Sequence, residues 1–393
     1  MKLTLIGCGC GRGTLSAEAL AAIGEAELLL GSPRLLEQFP EAARHIPASG
    51  REELLNALRQ TQARSAALLF SGDSGFYSGA AGVLNSPEGA DSRVLPGVSS
   101  LQVLAARLKE PWQDWRLCSA HGRDCDVVDA VCHGRAAFFL TGGRRDPAAL
   151  CRELTEAGLG FLEAVVGENL GTAEERLCRG RAEDFAERGF APLSVLLLRP
   201  APIRERRSPG FPDEAFLRED GVPMTKREVR AVILAKLGVR PEETCWDVGT
   251  GTGSVAVELA MQAGRVYSVE RDGRALRLAE ENRLRFGAWK LRLICGEAPE
   301  VLKTLPKPDA VFVGGSGGSL RGILQEVNRV NPAARLCVSA VTLETLQEAA
   351  ETLRALGYTV DVCQLSVSRS KKAGALTMMT AQNPVWLITG ERA

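Results

Sequence analysis

Residues 245–254 read CWDVGTGTGS, and they are the strongest indication of the fold in the second half of the 393-residue chain. It predicts a β-strand that ends at the acidic Asp247, a tight glycine turn, and a helix that starts at Ser254. The next predicted strand ends at Glu270, where a carboxylate can accept hydrogen bonds from both hydroxyls of a ribose. This order of features is typical of a nucleoside site on a doubly wound α/β sheet.

The spacing of the glycines distinguishes two classes of cofactor. A dinucleotide site uses GxGxxG spacing and holds a pyrophosphate on helix amides, whereas Gly249, Gly251 and Gly253 follow GxGxG. S-adenosylmethionine has no phosphate, and it carries an ammonium group beside a sulfonium cation, which an acidic residue suits. We therefore predict S-adenosylmethionine as the cofactor. The predicted contacts are Asp247, Gly249, Thr250, Gly251, Thr252, Gly253 and Glu270.

Short apolar runs alternate with helix-like segments on both sides of a proline-rich break. The break runs from Pro200 to Pro223 and contains five prolines, which fit neither a long helix nor a central strand. We place a first domain at residues 1–200, a linker at 201–219 and a second domain at 220–393. The fold class is α/β throughout, with two lobes and a cleft in the first domain and a Rossmann-like sheet in the second.

The same alternation predicts the individual elements. In the first domain, strands are predicted at 2–6, 26–30, 66–70, 93–95, 116–119, 136–140, 162–166 and 193–198, and helices at 16–23, 51–64 and 99–108. In the second domain, strands are predicted at 244–248, 266–270, 291–295, 310–313, 335–339 and 383–389, and helices at 226–237, 254–262, 274–286 and 343–356. Helices that follow strands in this way predict mostly parallel pairing.

The composition excludes several classes of function. Basic and acidic residues are equal at 48 each, and aromatic residues make up 5% of the chain. Neither a phosphate-binding surface nor a base-stacking platform is indicated, so we expect no nucleic-acid partner. No stretch reaches the roughly 18 apolar residues of a membrane span, and the apolar start at 1–7 ends at once in glycines. We therefore expect a cytoplasmic protein without a leader or a membrane partner.

Eleven cysteines are scattered along the chain without a CxxC pair. Cys118, Cys125 and Cys132 recur every seven residues near His121 and His133, a looser spacing than structural zinc sites use. We predict no metal, and we interpret the cysteines as free thiols in a reducing compartment.

Several motifs of the second domain resemble those of the precorrin C15-methyltransferase and decarboxylase family. They are the lead-in motif GVPMTKREVR at 221–230, WDVGTGTG at 246–253, GEAPE at 296–300, the segment 308–315, and NPV at 383–385. The resemblance implies that Thr225, Ala298 and the glycine turn contact S-adenosylmethionine. Gly314 and Gly315 follow the fourth strand at the ligand edge of the sheet, a position that favours contact with a substrate.

The first domain resembles the tetrapyrrole methylase family, in particular its precorrin C5-methylating branch. The matching segments are GCGCG at 7–11, SGDSGFY at 71–77, PGVSS at 96–100, AHGR at 120–123 and VGENLG at 166–171. The resemblance implies that S-adenosylmethionine lies in the cleft between the lobes. Its implied neighbours are Gly72, Asp73, Ser99 and Ser100, with a substrate loop that contains Gly7, Gly9 and Gly11.

Two positions of the first domain depart from the family pattern. Ser74 and Cys10 stand where that family often has proline, which would fix φ, so the geometry of these two loops is open. His121 is a candidate base or substrate ligand, and a structural role is the alternative.

Together, the resemblances imply a fusion that methylates a precorrin at C5 and C15 and removes carbon dioxide from the ring C acetate. The meso carbons of such a ring are enamine-like nucleophiles, so alignment of donor and acceptor, which can supply ~7–11 kcal/mol, is the main task. A homo-oligomer is also implied. Candidate partners for the substrate carboxylates are Lys226, Arg227, Arg230 and the segment 369–372. Two alternatives stay open, an RNA methyltransferase and a non-catalytic sensor of S-adenosylmethionine or tetrapyrroles.

Overall fold

The structure, a computed structural model, describes residues 1–41, 44–122, 125–202 and 209–392. These residues form two compact units, Met1–Ala201 and Pro202–Ala393. Of the predicted linker, residues 203–208 lie outside the described residues, as does Arg123 of the AHGR motif. Every helix in the described part of the chain is too short or too polar to cross a bilayer.

The first lobe of the first unit is a parallel sheet covered by helices. Its strands are β1 (Lys2–Gly7), β2 (Leu28–Gly31), β3 (His45–Pro47), β4 (Ser65–Phe70) and β5 (Arg93–Leu95), in the spatial order β3-β2-β4-β1-β5. Its helices are α1 (Ala17–Glu25), α2 (Pro33–Leu36), α3 (Arg51–Gln60), α4 (Ala80–Leu84) and α5 (Ser100–Leu108). Leu5, Leu28 and Leu68 are completely buried between the sheet and its helices, as expected for strands with two covered faces.

The second lobe has a sheet in which most neighbours are antiparallel. Its strands are β6 (Arg116–Ser119), β7 (Ala137–Leu140), β8 (Glu163–Glu168), β9 (Arg176–Arg181) and β10 (Ser194–Leu198), in the order β6-β7-β10-β8-β9. Its helices are α6 (Val127–Val131), α7 (Pro147–Glu156) and α8 (Ala182–Phe185). Only β6 and β7 pair in parallel. The connection from β8 to β9 is too short for the crossover that parallel pairing needs.

The second unit is a seven-stranded sheet that is parallel except at one strand. Its strands are β11 (Thr244–Val248), β12 (Arg265–Glu270), β13 (Leu291–Cys295), β14 (Ala310–Val313), β15 (Arg335–Ala340), β16 (Thr359–Leu365) and β19 (Val385–Glu391), and a separate hairpin joins β17 (Ser368–Ala373) to β18 (Leu376–Ala381). Its helices are α9 (Arg227–Leu237), α10 (Ser254–Ala260), α11 (Gly273–Phe286), α12 (Leu320–Val330) and α13 (Leu343–Ala355).

The order β13-β12-β11-β14-β15-β19-β16 places the switch point of the sheet at β11. The chain leaves β11 toward β12 on one side and reaches β14 on the other side. β19 runs antiparallel to both of its neighbours, β15 and β16. Ligands of doubly wound sheets bind at the carboxyl ends of the strands beside such a switch point, and the glycine turn, Glu270 and Gly314–Gly315 lie at these strand ends. The predicted α/β fold of both domains is confirmed.

Candidate active sites

The glycine turn after β11 has no room for side chains at two positions. Gly249 has a φ of +81°, and a Cβ there would lie 2.5 Å from the backbone nitrogen of Gly315. Gly251 has a φ of +54°, and a Cβ there would lie 2.5 Å from the backbone oxygen of Pro223. The turn, the loop after β14 and the lead-in motif therefore converge at backbone distance, which glycine alone permits.

Glu270 connects the end of β12 to this turn. One of its carboxylate oxygens accepts a hydrogen bond from the backbone N–H of Gly251 at 2.9 Å. The other accepts from the N–H groups of Arg271 and Asp272 at 2.9 and 3.0 Å. A carboxylate offers about four acceptor positions, so about one strong position remains free. A ribose that presents two hydroxyls has to share an oxygen with one of these backbone donors.

Asp247 lies beneath the turn, and its side chain does not line the cavity above it. Burial raises the pKa of this carboxyl group to about 6, although Ser268 and Thr250 donate hydrogen bonds to it, and the negative charge of Glu270 adds to the rise. The Ser268 hydroxyl donates to Asp247 Oδ2 at 2.6 Å. A buried carboxylate that has a raised pKa and lies close to a cleft is typical of a functional site.

A cavity of about 390 Å³ opens above the turn and brings together most of the predicted residues of the second domain. The predicted residues that line it are Thr225, Gly249, Thr250, Gly251, Glu270, Ala298, Gly314 and Gly315. Thr252 and Gly253 do not line the cavity. Thr252 is buried. Gly253 precedes α10 in the left-handed conformation, and a Cβ there would lie 3.0 Å from the Cβ of Ala279.

The sequence interpretation missed the charged neighbours of this cavity. Among its described lining residues, Glu270, Asp272 and Glu297 are acidic and Arg271 is basic, which leaves a formal charge of −2. Arg271 Nη1 donates to Glu297 Oε1 at 3.1 Å. In the sequence, Arg271 and Asp272 directly follow Glu270, and Glu297 directly precedes Ala298. This proximity to predicted site residues could have indicated them. An acidic lining suits a ligand that carries positive charge and hydroxyl donors.

In the first unit, three glycine-containing loops meet at the carboxyl edge of the parallel sheet. Gly9 and Gly72 exchange two backbone hydrogen bonds of 3.0 Å each. A Cβ at Gly97 would lie 2.3 Å from the oxygen of Gly72 and 2.4 Å from the oxygen of Gly7. The carboxylate of Asp73 accepts from the N–H groups of Gly75 and Gly97 at 2.9 and 3.1 Å. Asp73 thus holds two of the loops in register.

A cavity of about 500 Å³ lies between the two lobes of the first unit. The predicted residues that line it are Gly9, Gly72, Asp73, Ser99, Ser100 and His121, whereas Gly7 and Gly11 lie outside the lining. The Ser99 side chain is engaged as the N-cap of α5, where it accepts from the N–H of Gln102. Cys10, which replaces the expected proline, lines the cavity and donates its thiol to Val98 O.

His121 and two residues with unusual backbones stand around this cavity. His121 is exposed just after β6, and a Cβ at Gly142 would lie 2.0 Å from its Nδ1, so the Nδ1 edge of the ring lies against that glycine. Tyr77 and Asn169 line the cavity with φ values of +49° and +48°. Left-handed backbone at a non-glycine residue is strained and concentrates at functional sites. The sequence gives no signal of this strain.

The candidate cations for substrate carboxylates fall into two groups. Arg230 is completely buried, and Arg369 bonds to Asp213 and Glu228, so both guanidinium groups already have carboxylate partners. Arg227, Lys371 and Lys372 are exposed. Among the described residues, no group of three His, Cys, Asp or Glu side chains could hold a metal ion.

Two family models match the chain, one in each unit. Residues 2–186 match the model described as Tetrapyrrole (Corrin/Porphyrin) Methylases, and residues 214–390 match the model described as Precorrin methyltransferase domain.

Individual relatives extend these matches. A protein of Pyrobaculum calidifontis named probable cobalt-precorrin-6B C(15)-methyltransferase (decarboxylating) is 47% identical over 46% of the chain and 95% of its own length. The solved precorrin-6y C5,15-methyltransferase of Geobacter metallireducens GS-15 is 37% identical over 47% of the chain and 96% of its own, with a TM-score of 0.45. A Sinorhizobium protein named precorrin-6Y C(5,15)-methyltransferase [decarboxylating] is 31% identical over 98% of the chain and 94% of its own length. Because this last similarity spans both units, the chain belongs to the precorrin-6Y C(5,15)-methyltransferase (decarboxylating) family.

Proposed function

We propose that the chain methylates a precorrin macrocycle at C5 and C15 and removes carbon dioxide from its ring C acetate, with S-adenosylmethionine as methyl donor in both units. One observation carries the proposal: each unit has its own cavity at the carboxyl edge of a parallel sheet, lined by the residues of its own motifs. The relative that aligns with both units is named for both methylations. We assign C5 methylation to residues 1–200, and C15 methylation and decarboxylation to residues 220–393.

The second cavity fits S-adenosylmethionine in shape and charge. A backbone that approaches without side chains at Gly249 and Gly251, a ribose acceptor at Glu270 and a formal lining charge of −2 suit a cationic nucleoside. When bound, this cofactor supplies an electrophilic methyl group on a sulfonium. Asp247 acts from beneath the turn: it holds Ser268 and Thr250 in place, and its negative charge lies below the cavity and outside its lining.

The first cavity is built on different principles. β2 ends at Gly31, so it offers no carboxylate to a ribose. The polar groups in its place are the backbone of Gly72, the carboxylate of Asp73 and the start of α5 at Ser99 and Ser100. A separate substrate loop is proposed at Gly7, Gly9 and Gly11, of which Gly9 lines the cavity together with His121.

The proposed reaction requires the protein to align the methyl donor with the acceptor carbon, and it does not require a nucleophilic side chain. Bound S-adenosylmethionine would supply its methyl group to a meso carbon of the reduced macrocycle, the sulfur–methyl bond breaking as the carbon–methyl bond forms, so the protein must hold donor and acceptor in contact and exclude water. Loss of carbon dioxide leaves an electron pair that the protonated conjugated ring takes up. The second unit must therefore hold one acetate in a partly desolvated position, and the Gly314–Gly315 backbone stands at the right edge for substrate contact.

The remaining properties follow from composition and from the family. Zero net charge, 5% aromatic residues and free cysteines support a cytoplasmic enzyme that needs neither nucleic acid nor membrane. The family resemblance supports a homo-oligomer.

Mass spectrometry of the products tests the proposal. The full chain, supplied with a precorrin-6Y-type substrate and S-adenosylmethionine, should add two methyl groups and release one carbon dioxide. Glu270→Gln weakens the ribose acceptor, so it should suppress one methyl addition together with the release of carbon dioxide and leave the other methyl addition. A wild-type chain that adds no methyl group to metal-free or cobalt-containing substrate would refute the proposal.

A further inference from the structure

The chain that leads into the second unit is bonded directly to the glycine turn. We call residues 209–225 the lead-in segment; its last five residues are also the first five of the lead-in motif at 221–230. The Pro223 carbonyl accepts a hydrogen bond from the N–H of Thr252 at 3.1 Å, and the Pro223 oxygen is also the atom that a Cβ at Gly251 would strike. Eight residues earlier than Thr225, Leu217 makes a second connection to the turn through one side chain, that of Asn282.

Asn282 lies on α11 and is completely buried. Its Oδ1 accepts from the N–H of Leu217 at 2.8 Å, and its Nδ2 donates to Leu217 O at 3.0 Å. The same Nδ2 donates to the carbonyl of Thr252 at 2.9 Å. All the hydrogen-bonding atoms of this amide are thus used, and they join the lead-in segment, α11 and the turn at one point.

Thr252 is therefore held at both of its backbone groups, by Pro223 at the N–H and by Asn282 at the carbonyl. Its neighbour Gly251 donates to Glu270, the proposed ribose acceptor. A shift at Thr252 has to move Gly251 and the backbone bond that orients the Glu270 carboxylate. The turn has left-handed residues at Gly249, Gly251 and Gly253, so its own residues impose little conformational preference.

The rest of the lead-in segment is fixed by buried charges. Glu258 accepts from the N–H groups of Gly210 and Phe211 at 2.7 and 3.0 Å. Asp213 accepts from the N–H of Arg227 at 2.9 Å and so caps α9, whose own N-cap residue makes no such bond. Arg230 bonds to both carboxylates at 2.9 Å. These bonds hold the lead-in segment in one position, so the bonds that this segment makes to the glycine turn hold the turn in place as well.

We propose that Asn282 is a positioning residue for the second cavity, which sets the glycine turn in its ligand-binding conformation through Thr252 and the lead-in segment. The inference rests on the proposed function, because the ligand is taken to be S-adenosylmethionine or its product S-adenosylhomocysteine. Asn282 itself does not line the cavity, so its effect on binding passes through the turn.

The chain offers a matched control in Asn331. This asparagine is also buried; its Nδ2 donates to Pro308 O at 2.7 Å, and its Oδ1 accepts from the N–H of Ala333 at 3.1 Å. Pro308 and Ala333 precede β14 and β15, so Asn331 lies at the amino edge of the sheet, opposite the cavity. Asparagine-to-aspartate changes at the two positions remove the same kind of donor from the same kind of buried carbonyl.

The experiment compares N282D and N331D in the full chain. For each variant we measure the temperature of thermal unfolding. We also measure the KM for S-adenosylmethionine and the kcat in the reaction that releases carbon dioxide. The methyl addition assigned to the first unit serves as the internal reference. Both variants should unfold at lower temperature. Only N282D should raise the KM for S-adenosylmethionine in the reaction that releases carbon dioxide. We expect a rise of about tenfold, because a buried hydrogen bond to the turn is lost. The internal reference reaction should be unchanged in both.

The outcomes separate this inference from the proposed function. Wild type without methyl transfer or carbon dioxide release refutes the proposed function. An active wild type with equal KM values for N282D and N331D overturns the positioning role and leaves the function standing. If N282D does not fold, N282S, which keeps one short donor, replaces it, and a KM equal to that of N331D again overturns the proposal.

Discussion

At the scale of single residues, Asp247 lowers the stability of the folded second unit when its carboxyl group is ionised. Burial raises its pKa from the ordinary 3.8 to about 6. This rise corresponds to roughly 3 kcal/mol of lost stability when the carboxyl group is ionised. Because the folded state binds the proton more tightly than the unfolded state, the loss is fully present above pH 6 and disappears as the pH falls toward 3.8.

Asp247→Asn should therefore stabilise the second unit at neutral pH. We expect a gain of about 1–2 kcal/mol in the free energy of unfolding at pH 8, since the buried amide has a smaller desolvation cost of its own. The gain should shrink when the measurement is repeated at pH 4.5. Denaturant titrations of both proteins at the two pH values measure it. Equal stabilities at pH 8, or a difference that grows on acidification, would contradict the assigned pKa.

The two acidic residues also show how far residue-level inference reaches. The position of Glu270 at a strand end predicts its place in the cavity, because the strand register carries it there. The same reasoning predicts direct ligand contact for Asp247, and that contact stays a prediction. In the structure, the Asp247 side chain is bonded to Ser268 beneath the turn. Which way a side chain turns at a strand end depends on partners from another strand, and a local motif does not specify them.

At the scale of elements, the buried ion cluster around Arg230 fixes α9, α10 and the lead-in segment to one another. Its guanidinium group bonds to Asp213 and Glu258, which are 3% and 1% exposed. Removal of a single partner leaves uncompensated charge in the interior, which costs more than the pair contributes when intact.

Arg230→Met should lower the free energy of unfolding of the second unit by about 3–5 kcal/mol. The matched change Lys303→Met removes a cation from an exposed pair with Glu300, in which the side chains are 54% and 71% exposed. That change should cost less than about 1 kcal/mol. Denaturant titration of the full chain provides both values, and comparable losses for the two variants would show that the cluster contributes no more than a surface pair.

The elements that the sequence predicts are those that face the core. Every predicted strand is present with ends within two residues, and most of these strands are buried apolar runs. The predicted helices agree equally well except α3, which ends at Gln60, four residues early, because Thr61 is already extended. α12 was missed, although Leu320, Ile323, Leu324 and Val327 follow the helical period.

The hairpin β17–β18 was missed for a different reason. All six residues of β18 are exposed, so no alternation between a buried and a solvent face marks the strand. Arg230 likewise seemed a surface cation, because its carboxylate partners lie 17 and 28 positions away in the chain. Contacts between distant segments decide both features, and a single sequence does not display them.

At the scale of the whole molecule, the account requires two independent cofactor sites in one chain. Gly97→Ala should disable the first, because its Cβ would lie 2.3 Å from Gly72 O and 2.4 Å from Gly7 O, at the junction of three loops. Gly189→Ala is the control, since a Cβ there meets nothing within 4 Å. We expect G97A to lose one methyl addition and to keep tight binding of S-adenosylhomocysteine at the second site. Loss of binding at both sites would show that the two sites depend on each other.

We propose that Asp247, the glycine turn and Glu270 form a cofactor site separate from that of the first unit. The test is calorimetric titration of the full chain with S-adenosylhomocysteine. Wild type should bind two equivalents per chain, and the double variant Asp247→Asn, Glu270→Gln should bind one. A double variant that still binds two equivalents with unchanged affinity would contradict the claim.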